Sequence, residues 1–140
     1  MLRPYNSSDV DAVVSTWRAT SAVAHPFLSN EFLDQEEKNI REIYVKHAQT
    51  WVVDIADEVV GFISLIDNEI GGLFLRPDFH GRGLGQAMVD LAYEEKGPLK
   101  LEVFEKNQIG RRFYDRYGFQ FKERRHHEPS GEDVLLLVFP

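Results

Sequence analysis

Glycine recurs at alternate positions in His80-Gly81-Arg82-Gly83-Leu84-Gly85-Gln86, where an apolar run ends and an amphipathic one begins. The first backbone N–H groups of a helix have no partners of their own, and the helix dipole adds positive potential, so such a junction suits an anion, phosphate above all. Glycine allows close approach and unusual dihedral angles, while Arg82 could add a positive charge at the rim. A Walker loop needs Gly-Lys followed by Ser or Thr, which is missing, and the dinucleotide fingerprint G-x-G-x-x-G does not match Gly81, Gly83 and Gly85. The competing reading is a plain turn that only starts a helix, and the alternation beside an arginine argues against it.

Stepping outward from this loop, the flanking periodicities say what holds it. Ser7 and Ser8 precede Val10, Val13, Val14 and Trp17, whose spacing puts one apolar stripe on a capped helix. A second helix runs from Asn30, a suitable cap, to about His47, with Phe32, Leu33, Ile40, Ile43 and Tyr44 on its apolar face. Between the two, Pro26 lacks a donor and pushes His25 towards an extended conformation, so Ala24-His25-Pro26-Phe27-Leu28 reads as a loop. Trp51–Ile55, Val59–Ile66 and Glu69–Leu75 read as an antiparallel meander, turning at Asp57-Glu58 and Asp67-Asn68. After the glycine loop comes a helix with Leu84, Met88, Leu91 and Ala92 on one face, closed by Gly97-Pro98. Leu99–Phe104 is apolar enough for a buried strand parallel to the meander's last strand, with the helix as crossover. A further helix, Gln108–Tyr117, carries Ile109, Phe113 and Tyr117 on its buried side and ends at Gly118. Phe119 onward and Val134–Phe139 supply the last strands. Trp17 and Trp51 read as core. The expected fold class is α/β (α+β), one mixed and mostly antiparallel sheet of about six or seven strands flanked by four helices, forming one domain over residues 1–140.

Composition narrows the function. At 43% hydrophobic and 28% charged residues the chain matches an ordinary globular protein, and no apolar run approaches the roughly 20 residues of a membrane span. The start, Met1-Leu2-Arg3-Pro4-Tyr5, lacks the apolar stretch of a secretory signal, so a cytoplasmic location is expected. Cysteine is absent, which excludes disulfide scaffolds, thiolate metal sites and cysteine nucleophiles. A net charge of −7 argues against broad nucleic-acid binding and would suit a cationic partner such as an amine. His126-His127-Glu128 has adjacent residues that point oppositely in a strand and no further ligand at a recognisable spacing, so it reads as surface and no metal is expected.

The glycine segment resembles motif A of the GNAT superfamily of N-acetyltransferases, whose pattern is Gln/Arg-x-x-Gly-x-Gly/Ala, with His80 at the first position here. The resemblance extends over essentially the whole chain, down to Asn107-x-x-Gly110-x-x-Phe113-Tyr114. It implies acetyl-CoA as cosubstrate, with the diphosphate on the backbone of Gly81, Arg82, Gly83, Leu84, Gly85 and Gln86. It implies that Leu73, Phe74 and Leu75 bind the acetyl and pantetheine portions, because a strand that splays from its neighbour leaves donors and acceptors which an extended amide chain can satisfy. A free amide N–H near Leu75 would also stabilise the oxyanion formed during attack. Asn107 then matches a coenzyme A-binding residue, and Tyr114, two helical turns on, matches the group that protonates the departing sulfur.

An amine acceptor is mostly protonated at neutral pH, so a base or a water path must remove its proton. Glu69 and Glu102 match two positions at which members of the superfamily place that base; strand alternation turns Glu102 and Phe104 to one face and Leu101 and Val103 to the other. His25 and Phe27 lie in a loop that borders the acceptor site in the superfamily, and His-Pro-Phe-Leu resembles the run in some small bacterial protein-lysine acetyltransferases. The resulting expectation is an acetyl-CoA-dependent N-acetyltransferase acting by direct attack on a primary amine, either a small molecule or a protein lysine. The alternative is a non-catalytic acyl-CoA-binding regulatory module of the same fold.

Overall fold

A computed structural model describes the backbone of residues 1–140 and the side chains of all but residues 43–45. The chain begins with a strand that its sequence does not announce, β1 (Leu2–Pro4), too short for alternation to register. The first helix, α1 (Val10–Ala24), starts from Asp9 directly after a 3-10 turn, Ser7–Asp9, and the side-chain cap, on that turn, is Asn6 rather than either serine. Asn6 accepts from the Ser8 N–H while the Asp9 carboxylate reaches back to the Asn6 N–H, a reciprocal box. Asp9 also takes both terminal nitrogens of Arg3 at 2.9 Å, and Arg3 reaches Asp54 at 3.0 Å. The start of α1 is thereby tied to the sheet.

The second helix, α2 (Asn30–Asn39), is capped by Ser29, one residue before the expected Asn30, and runs on through a π-helical stretch, Ile40–Tyr44, into a short last turn, α3 (Val45–His47). The expected apolar face is there in Leu33 and Ile40, both buried, while the Ile43 and Tyr44 side chains lie outside the described residues. The meander consists of β2 (Gln49–Ile55), β3 (Glu58–Ile66) and β4 (Glu69–Leu75). Its first turn is Ala56-Asp57 rather than Asp57-Glu58: both turn residues adopt positive φ, 52° and 67°, and Glu58 already pairs with Ile55.

A helix, α4 (Leu84–Lys96), links β4 to β5 (Leu99–Phe104); then come α5 (Gln108–Tyr117), β6 (Gln120–His127) and β7 (Glu132–Phe139). The sheet order is β1-β2-β3-β4-β5-β7-β6, with β4 and β5 the parallel pair and the other pairs antiparallel. Residues alternate between its two faces. Val53, Val60, Ile63, Leu101 and Val103 pack with Met88, Val89 and Ala92 of α4; Val52, Val59 and Phe62 pack with Val13, Val14 and Trp17 of α1. Trp17 is core as expected, whereas Trp51 is half-buried against the α4 side. On α5 the buried residue is Tyr114; Ile109 is exposed, and Phe113 and Tyr117 are half-buried. Phe113 and Tyr117 pack against the core as expected, and the stripe as a whole also lines a cavity. Among the described residues no helix is long and apolar enough to cross a membrane.

Candidate active site

The parallel pair is the irregular one. β4 and β5 are in register only at Glu69–Lys100 and Ile70–Leu101 and then diverge, while β5 stays paired with β7 along its whole length. The Arg76 N–H donates to Val60 O at 2.8 Å, so by alternation Phe74 also turns its main-chain groups towards β3. Leu73 and Leu75 therefore turn theirs into the gap between β4 and β5. One of these groups is taken: His80 Nε2 lies 2.9 Å from Leu75 O and must donate, since a carbonyl can only accept.

Cavities open on both sides of this gap. The larger, about 660 Å³, lies between the glycine loop, the start of α4 and the flank of α5. Gly81 and Gly83 both have φ of +79°, a conformation that L side chains rarely adopt, and a Cβ at either would meet nothing within 4 Å, so the backbone is bare towards the opening. Gly83 caps α4 with no side-chain hydrogen bond, and there is no acidic residue in the first turn. The N–H groups of Leu84 to Gln86 are thus unspent, and the residues present fit a diphosphate. Arg82 does not reach in. Its guanidinium lies 4.8 Å over the Phe79 ring and donates to Asp78 O at 3.4 Å, which corrects its placement at the rim. The positive side chain on this wall is Arg116, beside Tyr117 and one helical turn beyond Phe113. It shares the periodicity of the α5 stripe, and that pattern could have located it had the stripe been taken as a cavity wall.

The second cavity, about 410 Å³, runs along α1 past Val13, Trp17, Ser21 and His25 and is closed by α2 and the open face of β4 and β5. Glu69 and Glu102 both line it, together with Glu36 of α2, and among the described residues its lining contains no Lys or Arg. Glu102 is partly restrained, with Arg125 at 3.6 Å. Phe74 belongs to this side, not to the cofactor side where it was expected; Leu75 faces the larger cavity and Leu73 faces both. Phe27 lines neither. It packs on His25 and Phe104, with Lys106 Nζ 5.6 Å from its ring centre, while Leu28 forms the wall. His127, expected at the surface, is half-buried in this lining between Phe32 and Phe104, and His126 points outward to Asp133. Strand alternation had marked the pair as divergent; what the sequence lacks is which of the two turns inward.

Leu73, Asn107 and Tyr114 line both cavities and form the wall between them. Tyr114 is buried, with Phe113 and Phe119 at 5.3 Å and 5.4 Å between ring centres. Burial pushes its phenol well above the ordinary value, so it keeps its proton at neutral pH and serves as a hydrogen-bond donor. His25 is buried too, and burial pulls its imidazole down to about 4.

The sequence profile of the "Acetyltransferase (GNAT) domain" matches residues 46–121. Peptidyl-lysine N-acetyltransferase YiaC of Escherichia coli (strain K12) is 28% identical over 100% of this chain and 97% of its own length. Peptidyl-lysine N-acetyltransferase YjaB of Salmonella typhimurium is 29% identical over 99% and 97% respectively. The solution structure of apo-form YjaB from Escherichia coli superposes with a TM-score of 0.88 at 27% identity, covering 99% of this chain and 96% of that one. The fold also matches PaiA N-acetyltransferase from Thermoplasma acidophilum in complex with coenzyme A, with a TM-score of 0.80 at 16% identity over 99% and 98% of the two chains.

Proposed function

The chain belongs to the GNAT family of acetyltransferases and moves an acetyl group from acetyl-CoA to an amine, and on that premise we propose that residues 1–140 form one catalytic domain whose acceptor is the side chain of a peptide lysine. The observation that carries the reading is the meeting of two cavities at Leu73, Asn107 and Tyr114, one suited to an anion and the other to a cation. The diphosphate of acetyl-CoA lies on the N–H groups of Gly81 to Gln86, and its pantetheine pairs with the free main-chain groups of Leu73, as a surrogate strand would, leaving the Leu75 N–H for the acetyl oxygen. The thioester then sits in the gap between β4 and β5.

The acceptor enters from the other side, drawn by Glu36, Glu69 and Glu102. Glu69 or Glu102, directly or through water, takes the proton from the ammonium, and the free amine attacks the thioester carbon. The Leu75 N–H donates to the resulting oxyanion. Collapse breaks the carbon–sulfur bond, Tyr114 donates a hydrogen bond to the departing thiolate, and the proton that the new amide nitrogen sheds ends on that sulfur as free thiol. The lysine acceptor draws support from the names of YiaC and YjaB, which match nearly end to end, and from three carboxylates in a lining without Lys or Arg.

Release of free thiol from acetyl-CoA, followed against lysine peptides, free amines and an N-terminal amine, tests this. Turnover with lysine peptides is the expected result, reduced in Glu102→Gln and Tyr114→Phe. Equal turnover in both variants and the parent would remove the roles given to those side chains.

A further inference from the structure

Asn107 is held in a single orientation by two hydrogen bonds and by the room that a glycine leaves beside it. Its Oδ1 accepts from the Gly110 N–H at 2.9 Å, capping α5, and this fixes which end of the amide is nitrogen. Its Nδ2 lies 3.1 Å from His25 Nε2, and an amide nitrogen can only donate, so Nε2 carries the lone pair and the imidazole proton sits on Nδ1. The orientation also needs the space that Gly110 leaves open: a Cβ there would lie 2.6 Å from Asn107 Nδ2 and 3.1 Å from its Cγ. His25 is fixed in turn, with Phe104, Phe27 and Phe74 ring centres at 5.0, 5.7 and 6.5 Å, each edge-on. With an imidazole value of about 4, the ring stays neutral and remains an acceptor at physiological pH.

We infer that His25 is a positioning residue for the cofactor side: through Nε2 it orients the Asn107 amide, and with Gly110 it couples the loop between α1 and α2 to acetyl-CoA binding. The inference rests on the reading that the cavity beside Asn107 holds acetyl-CoA. His25 lines only the acceptor cavity, yet its hydrogen bond ends on a residue that lines both. Any order that acetyl-CoA imposes on Asn107 therefore reaches the acceptor wall, and linkage makes the effect reciprocal.

Calorimetric titration of acetyl-CoA into the folded protein and its variants tests this without knowledge of the acceptor. His25→Phe keeps an aromatic ring among the three phenylalanines but removes the acceptor atom, and should weaken binding about tenfold, the worth of one buried hydrogen bond. His25→Gln, whose amide oxygen can accept, should restore most of the loss. In an Asn107→Ala background His25→Phe should have no further effect, because the interaction is already gone. Gly110→Ala, which displaces the Asn107 amide with His25 untouched, should reproduce the loss and covers the case in which His25→Phe does not fold. In the parent, acetyl-CoA should slow hydrogen exchange in residues 25–29, and in Asn107→Ala it should not. Unchanged affinity in His25→Phe, equal losses in the Phe and Gln variants, or additivity with Asn107→Ala would each overturn the coupling. Failure of the parent itself to bind acetyl-CoA would instead overturn the reading of the cavity.

Discussion

The two cavities that meet at Tyr114 are made of different materials. The cofactor side relies on main-chain groups: the turns at Gly81 and Gly83, the open first turn of α4, and the unpaired edge of Leu73 and Leu75. The acceptor side is built from side chains that converge from three helices, α1, α2 and α5, and from strands β3 to β7. A backbone cradle needs a local pattern of residues and tolerates change elsewhere, whereas a wall assembled from many elements depends on each of them. The contrast explains how one side can be written in a single local run of residues while the other cannot.

The strongest way to break the comparison is a charge in the cradle. Gly83→Asp places a carboxylate where the diphosphate binds, and at a separation of about 5 Å in an intermediate dielectric the repulsion should lower acetyl-CoA affinity about 300-fold. Calorimetry checks this, and a loss below about threefold would mean that the cradle is not where the phosphates lie.

On the acceptor side the largest effect concerns stability. The unfolded chain protonates His25 near the ordinary value of 6.5 and the folded chain only near 4, so between these values the unfolded state binds more protons and stability falls as the pH drops. The loss should reach about 3 kcal/mol by pH 4 and be absent above pH 6.5. Denaturant unfolding across that range should show it in the parent and not in His25→Phe.

Tyr114 belongs to both sides. Because burial holds its proton firmly, its contribution is that of a hydrogen bond to a developing thiolate, and Tyr114→Phe should lower kcat about 30-fold with little change in acetyl-CoA affinity. Steady-state kinetics separates the two quantities. The smallest effect belongs to the carboxylates: Glu69→Gln or Glu102→Gln should raise the KM of a cationic acceptor by about threefold through lost attraction alone, and the difference should shrink with added salt. A fall in kcat on top of this would identify the base.

The same contrast governs what could be read without coordinates. The glycine loop, its helix and the parallel strand after it are encoded by neighbours in the sequence, and all three lie where their spacing puts them. The first strand was invisible because Leu2–Pro4 is too short to alternate, and the caps were displaced to Asn6 and Ser29 because several polar residues in a row offer the same chemistry. Of the stripe Ile109, Phe113 and Tyr117, the last two pack on the core and Ile109 does not, and all three line the cavity, since an apolar cavity wall and a core contact share one pattern. Phe74 and Leu75 divide between the two sides because successive strand residues face opposite ways. His127 enters through the register of β6 on β7 and its contact with Phe104, long-range facts that no local spacing contains.

The central claim is that main-chain amides hold the cofactor in the gap between β4 and β5, and titration of coenzyme A into isotope-labelled protein, followed by amide resonances, addresses it most directly. The account predicts saturable shifts at Gly81 to Gln86 and at Leu73 and Leu75, with the distant turn at Glu128 to Gly131 unmoved. Absence of any shift, or shifts confined to residues away from the loop and the open edge of β4, would contradict it.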